Sequence, residues 1–259
     1  MIRAFHTITF IASALIALVG STGAALAAEI KILAGSAIET TMAELIPVFE
    51  RASSHKVTHD FDGAIGQMTA RVLNGEPADV VIVSGPQIDQ LIQQSKVRVG
   101  TRKDLAKVGI GLFVRKGGPK PDVSSVEAFR HAMVAAKSIG WNDPAAGAPV
   151  SIYMLGVLQH LGIAAEMSTK TIAFKQRSER FAAVARGEVE IGFNQISEII
   201  AASGVELVAP LPREIQSYTL FAAGIATSSK NPEAAKALID FIASPGSATL
   251  WQAKGFELP

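Results

Sequence analysis

Cysteine is missing from all 259 residues. Its absence excludes a disulfide framework, a thiolate zinc site and a thiol nucleophile, and leaves the cellular compartment open. Aromatic residues are scarce, at 6% with two tryptophans and two tyrosines, too few for the stacking platforms that hold single-stranded nucleic acid. Neither sign of charge is in surplus. Lys and Arg number 24 against 23 Asp and Glu, a formal net charge of +1, so a nucleic-acid partner is not expected. The five histidines (His6, His55, His59, His131 and His160) are scattered, with no metal-ligand spacing. There is no G-x-S-x-G elbow and no P-loop. No metal and no cofactor are therefore expected. After the N-terminal thirty residues, no stretch approaches the roughly 20 apolar residues of a membrane-spanning helix.

What is present begins with the first segment, "MIRAFHTITFIASALIALVGSTGAALAAEIKI". Arg3 near the start, an apolar stretch from about Ile8 and the small-residue tail Ala25-Leu26-Ala27 form the three-part pattern of a secretory signal peptide. Cleavage after Ala27 or Ala28 is expected. Residues 1–28 then leave, and the product is exported to the periplasm. The remainder is apolar enough, in a chain that is 49% apolar overall, to fill the core of one or two domains.

Along the mature chain, strand and helix patterns alternate. "EIKILAG" reads as a strand, followed by a helix over about Ala37–Ala52 whose inner face carries Met42, Leu45, Ile46 and Phe49. "KVTHDFDG" is a second strand, and "ADVVIVSG" is apolar throughout, as in a parallel strand covered on both faces. Later strands are read in "VGIGLFVR", "SIGW", "KTIAF", "VEIGFNQIS" and "YTLFAAGIAT". Helices are read near Gln67–Leu73, Gln87–Gln94, Val126–Ala136, Ser151–Leu161, "RSERFAAVARG" and "NPEAAKALIDFIAS". Repeated βα units predict an α/β fold. "RVLNGEPADVVIVSG" and "AVARGEVEIGFNQIS" share one plan: a helix end, glycine, an acidic residue, then an apolar strand. The echo fits two similar lobes, although glycine after a helix is also an ordinary cap.

In an α/β sheet, strand C-termini that feed helix N-termini gather on one edge, and ligands bind there. Three junctions have suitable composition: "AGSAIE" at 34–39, "FDGAIGQM" at 61–68 and "NDPAAGAPVSIY" at 142–153. Helix N-termini offer unpaired N–H donors and a partial positive charge. Three of them across two lobes point to an anion held in a cleft. Plainer roles are open at each: Ser36 as an N-cap, Gly63 and Gly66 as turn formers, and Asp143-Pro144 as a turn initiator.

With these junctions go "GQMTARVLNGEPADVVIVSG", "ARGEVEIGFNQISEI" and the closing "GIATSSKNPEAAKALIDFIASPGSATLWQAKGF". Together the series resembles the periplasmic molybdate-binding proteins of ABC importers, within the two-lobed type II solute-binding superfamily. The resemblance implies an α/β fold of two lobes, each a mostly parallel sheet flanked by helices, with the ligand cleft between them. It places lobe one at residues 29–108 plus 219–259 and lobe two at 109–218. It implies an inner-membrane permease as partner and a monomer in solution. The ligand-binding positions it marks are Ser36, Ala37, Ala64, Ile65, Gly147, Ala148, Val150, Ser151, Asn194 and Gln195.

Two of the family's side-chain donors differ here. The second hydroxyl junction falls on Ala64 and Ile65, and the tyrosine near the end of the late strand falls on Gln195. Isoleucine cannot donate, and glutamine offers an amide for a phenol. "NDPAAG" and "NQISEI" resemble instead the branch that includes periplasmic aconitate isomerase, which implies an organic polycarboxylate as ligand. Arginine supplies the bidentate fork such a ligand uses, and Arg71, Arg177, Arg180 and Arg213 are candidates. Were the chain an isomerase, Glu39 and Glu198 would be the candidate acid–base residues. Both could equally be first-turn acids favoured by a helix dipole. A third class, an anion sensor signalling to a membrane receptor, would bind without transport or turnover.

Overall fold

In a computed structural model, residues 27–144 and 149–259 are described. Most of the expected signal peptide, and Gly147 and Ala148 of the second-lobe loop, lie outside these residues. No helix among the described residues is long and apolar enough to cross a membrane.

The first βα units are β1 (Glu29–Ala34), α1 (Glu39–Ser53), β2 (Lys56–Asp60), α2 (Ile65–Leu73), β3 (Val80–Ser84) and α3 (Gly85–Gln93). A long strand, β4 (Lys103–Arg115), leads into α4 (Val126–Ala135), β5 (Ile139–Asn142), α5 (Pro149–His160), α6 (Ala164–Ser168) and β6 (Thr171–Phe174). Then come α7 (Arg177–Arg186), β7 (Ile191–Gln195), α8 (Ile196–Ala201), β8 (Val205–Pro210) and β9 (Tyr218–Ile225). Two helices, α9 (Pro232–Ile242) and α10 (Pro245–Ala253), close the chain.

The strands run β2-β1-β3-β9-β4-β7-β5-β6, with β8 beside β4. β1 pairs in parallel with β2 and β3, and β5 in parallel with β6 and β7. The antiparallel pairings are those of β4 and β9. β4 changes partners along its length. Lys103–Gly109 face β9, while Ile110–Phe113 face β7.

The side-chain period of two divides each strand between two helical layers. Ile30, Ile32, Ala34, Val80 and Ile82 pack with α1, α9 and α10, while Leu33, Val81 and Val83 pack with α2 and α3. That double cover is why β3 is apolar at every position but its last. The second half repeats the arrangement with its own core. Ile110, Leu112, Ile139, Ile191 and Phe193 lie on one side, and Phe113, Phe181 and Val184 on the other.

Where β4 changes partners, a side chain does the work of a strand. The Ile110 N–H donates to Gln216 Oε1 at 2.8 Å, and Gln216 Nε2 donates to the Ile110 carbonyl at 2.9 Å. A Cβ on Gly109 would lie 3.0 Å from that same Nε2, so glycine there leaves the bracket uncrowded.

Candidate functional site

The first junction is built tightly. β1 ends at Ala34, and the Gly35 N–H donates to Ile82 O at 3.2 Å. A Cβ on Gly35 would stand 2.7 Å from Ile65 Cγ1, so only glycine lets the start of α2 close on the end of β1. The Ser36 N–H then donates to Gly63 O at 3.1 Å, tying the first two junctions together.

Ser36 does not cap its helix. A 3-10 turn, Ser36–Ile38, precedes α1, and neither has a side-chain cap hydrogen bond. The Ser36 hydroxyl instead crosses to the other half and donates to Glu198 Oε1 at 3.0 Å. Arg177 Nη1 donates to Ser36 Oγ at 3.1 Å and also to Glu198 Oε1. Asn194 Nδ2 completes the shell, donating to Glu198 Oε2 at 2.7 Å. The Glu198 side chain is 11% exposed and that of Arg177 40%. Burial lowers the pKa of the Arg177 guanidinium, while the nearby charges of Glu39 and Asp62 oppose that shift. One carboxylate thus sits in a cage of hydroxyl, guanidinium and amide donors drawn from residues up to 162 positions apart.

The sequence pattern marked Ser36, Asn194 and Glu198, and the structure brings them together. The other marked residues have their own surroundings. Ala37 is buried behind Ser36. The Ala64 N–H donates to Gln67 Oε1 at 2.9 Å, so that amide is spent on its own helix. Ile65 is half-buried and packs into the first half's core. Gln195 Nε2 donates to Thr219 Oγ1 at 3.0 Å, tying β7 to β9. Val150 packs on the second half's core, and Ser151 is 1% exposed with no hydrogen-bond partner for its Oγ among the described residues. Glu39 is exposed at the start of α1 and acts on the site through its charge alone.

Of the four candidate arginines, Arg71 is engaged elsewhere, in a network with Glu76 (2.6 Å) and Asp60 (2.7 Å). Arg213 is exposed in the 3-10 turn Arg213–Ile215. Arg177 reaches the site. Arg180 lies one turn along the same helix, 1% exposed. Its guanidinium stands over the rings of Phe113 (5.8 Å) and Phe181 (5.3 Å). Its Nε and Nη2 have no hydrogen-bond partner among the described residues. Burial, and secondarily the charge of Arg177, push its pKa down to about 9, so it is protonated at neutral pH. Burying an uncompensated charge costs several kcal/mol, and two aromatic faces return only about 2 of that.

Arg177 was the residue the sequence pattern underweighted. A cation at the first position of a helix opposes the helix dipole, and that mismatch is a local signal of a role other than helix stability. Among the described residues, no group of three or more His, Asp or Glu stands together as a metal site.

A model of the bacterial extracellular solute-binding proteins matches residues 30–257. The chain belongs to that family. It is similar to proteins of two kinds. An aconitate isomerase from a Pseudomonas species is 31% identical over 234 residues, covering 87% of this chain and 86% of the relative. The molybdate-binding protein ModA of Azotobacter vinelandii is 25% identical over 245 residues, covering 91% and 92%. Among solved structures, the Azotobacter vinelandii periplasmic molybdate-binding protein superposes with a TM-score of 0.72 at 20% identity, covering 89% of this chain and 99% of that one. The fold is therefore the two-lobed α/β architecture of type II periplasmic binding proteins. A family of extracellular proteins accords with export of this member.

Proposed function

We propose that this solute-binding protein takes an organic carboxylate between its halves, residues 29–108 with 219–259 forming one lobe and 109–218 the other. The observation that carries the reading is the seat of Glu198. Ser36 from one half and Arg177 and Asn194 from the other already hold a carboxylate, the protein's own. A ligand carboxylate presented to Ser36 and Arg177 meets the same donors. A planar guanidinium fork matches the two oxygens of a carboxylate. The missing hydroxyl at Ile65, and the engagement of Gln195 with Thr219, remove two donors from any oxyanion shell. Closure about β4 and β9 would then present the loaded form to an inner-membrane permease.

Calorimetric titration with tricarballylate, succinate, sulfate and molybdate tests the proposal. Micromolar binding of the carboxylates is expected, with millimolar or no binding of the inorganic anions. Micromolar molybdate binding, with none of carboxylates, would overturn it.

A second reading has its own support. Glu198 is a carboxylate fixed against the proposed ligand seat, and a relative of 31% identity is named an aconitate isomerase. Converting trans- to cis-aconitate is an allylic proton shift: a base removes a proton from the methylene carbon, the double bond moves, and the proton returns at the former vinylic carbon. Glu198 would serve as that base, with Glu39 as the alternative. Chromatography of purified protein incubated with trans-aconitate decides this reading. Turnover lost in Glu198→Gln supports it, and no turnover by the parent chain removes it.

A further inference from the structure

Arg177 and Arg180 are three residues apart and so share a face of α7. Long helical side chains lean toward the helix N-terminus, and that end of α7 is where Arg177 meets Ser36 and Glu198. The stem of Arg180 runs past Gly140, where an added Cβ would lie 3.3 Å from its Cγ and 3.0 Å from Val189 Cγ1. Glycine at that point of β5 therefore leaves the passage the arginine occupies. The guanidinium is walled by Phe113 and Phe181 and keeps two nitrogens without hydrogen-bond partners among the described residues. A guanidinium held mainly against apolar rings is weak as a structural element, because an apolar residue of the same volume packs there without the desolvation penalty.

We propose that Arg180 is the seat of a second ligand carboxylate, and so the residue that selects di- and tricarboxylates over monocarboxylates. This rests on the carboxylate reading of the cleft. Three residues of helix offset the two Cα atoms by roughly 4.5 Å along the axis, so two long side chains on one face can reach carboxyl groups on neighbouring or next-neighbouring carbons. The first carboxylate takes Ser36 and Arg177. The second would take the Nε and Nη2 of Arg180, which have no hydrogen-bond partner among the described residues, in apolar surroundings where charge pairing is strongest. Entry follows when Ser36 and Glu198 part.

The test compares tricarballylate with butyrate by calorimetry on the parent chain and on Arg180→Met, Arg180→Lys and Arg177→Met. The parent should bind tricarballylate at least 100-fold more tightly than butyrate. Arg180→Met should weaken tricarballylate about 100-fold, leave butyrate within threefold, and unfold at the same or a higher temperature without ligand. Arg180→Lys keeps the charge and loses the fork, so an intermediate loss is expected. Arg177→Met should weaken both ligands. If Arg180→Met does not fold, the parent chain still decides. With ¹⁵N-labelled arginine, the Arg180 Nε–H resonance, assigned through Arg180→Lys, should shift on saturation with tricarballylate and stay in place with butyrate. Full discrimination retained in Arg180→Met, or an unmoved Arg180 resonance at saturating tricarballylate, would overturn the second seat while leaving the first intact. Binding of neither carboxylate by the parent chain would instead sink the reading of the cleft on which it rests.

Discussion

Removing the Glu198 side chain should tighten ligand binding. In the ligand-free chain that carboxylate accepts from Ser36 and Arg177, the two donors proposed for the ligand, and so it competes with the ligand from within the molecule. A hydrogen bond to a charged group contributes about 1.5–3 kcal/mol net. If holding the two donors is worth that much in total, only about one molecule in ten to one in a hundred has them free at any moment. Apparent affinity is reduced by that fraction. Glu198→Ala should accordingly lower the Kd for tricarballylate about 10- to 100-fold, and the loss of a like charge beside the ligand acts in the same direction. Stability should move the other way. Asn194 is 5% exposed, and losing its acceptor would cost about 1–3 kcal/mol. Calorimetry with tricarballylate, which has no double bond to isomerise, measures binding free of turnover. Urea unfolding followed by circular dichroism gives the stability. A Kd in Glu198→Ala that is unchanged within threefold, or weaker, would refute the reasoning. It would mean that Glu198 supports the ligand seat rather than filling it.

Two further perturbations test the fold around the site. A Cβ at position 192 would lie 2.2 Å from Phe113 Cζ, in a core where Phe113 is fully buried and packs on Phe181 at 4.7 Å. Gly192→Ala should lower stability by about 1–3 kcal/mol, read as a drop in the urea midpoint; an unchanged midpoint would show that the ring yields. Arg71 holds Glu76 down to a pKa of about 2, and lowers Asp60 as well. Glu76 is thus more acidic folded than unfolded, and its contribution is complete above pH about 4.5 and lost as pH falls toward about 2. At partial exposure the pair is worth at most about 1 kcal/mol. Arg71→Ala should flatten the acid limb of the stability curve within that window by no more than this amount, as thermal melts across the range would show.

Much of the fold was legible because each signal was local. β3 is apolar almost throughout, since helices cover both faces. α9 opens with Pro232 and Glu233 at its first turn, and α7 ends on Gly187 at φ +77°. Other elements left weaker marks. β4 begins at Lys103, but Lys103, Asp104 and Lys107 conceal its first half, and only the apolar run from Val108 reads as strand. β8 pairs with β4 alone and is mostly half-buried, so "VELVAP" carries no clean alternation. α10 begins Pro-Gly-Ser, a sequence that reads as a turn. At the site, the glycine-bearing junctions were visible in the sequence, and at Gly35 the close approach of Ile65 accounts for the residue. The cage around Glu198 was not. Ser36 and Arg177 are 141 residues apart, and Ser36 and Glu198 162, so the contact depends on how two independent cores are set against each other. Amides that looked available, such as that of Ala64, are consumed by neighbours such as Gln67 whose rotamer no pattern reports.

The bracket at Ile110 bears on how such a molecule would flex. Gln216 lies just ahead of β9, and its amide clasps β4 at the point where that strand trades one neighbour for another. β4 and β9 already pair from Lys103 to Gly109, so the clasp carries that tie one residue further, to the place where β7 takes over as neighbour. Rotation of one block of sheet against the other would bend the chain at this overlap, and would load the amides of Gln216 and Gln195 together.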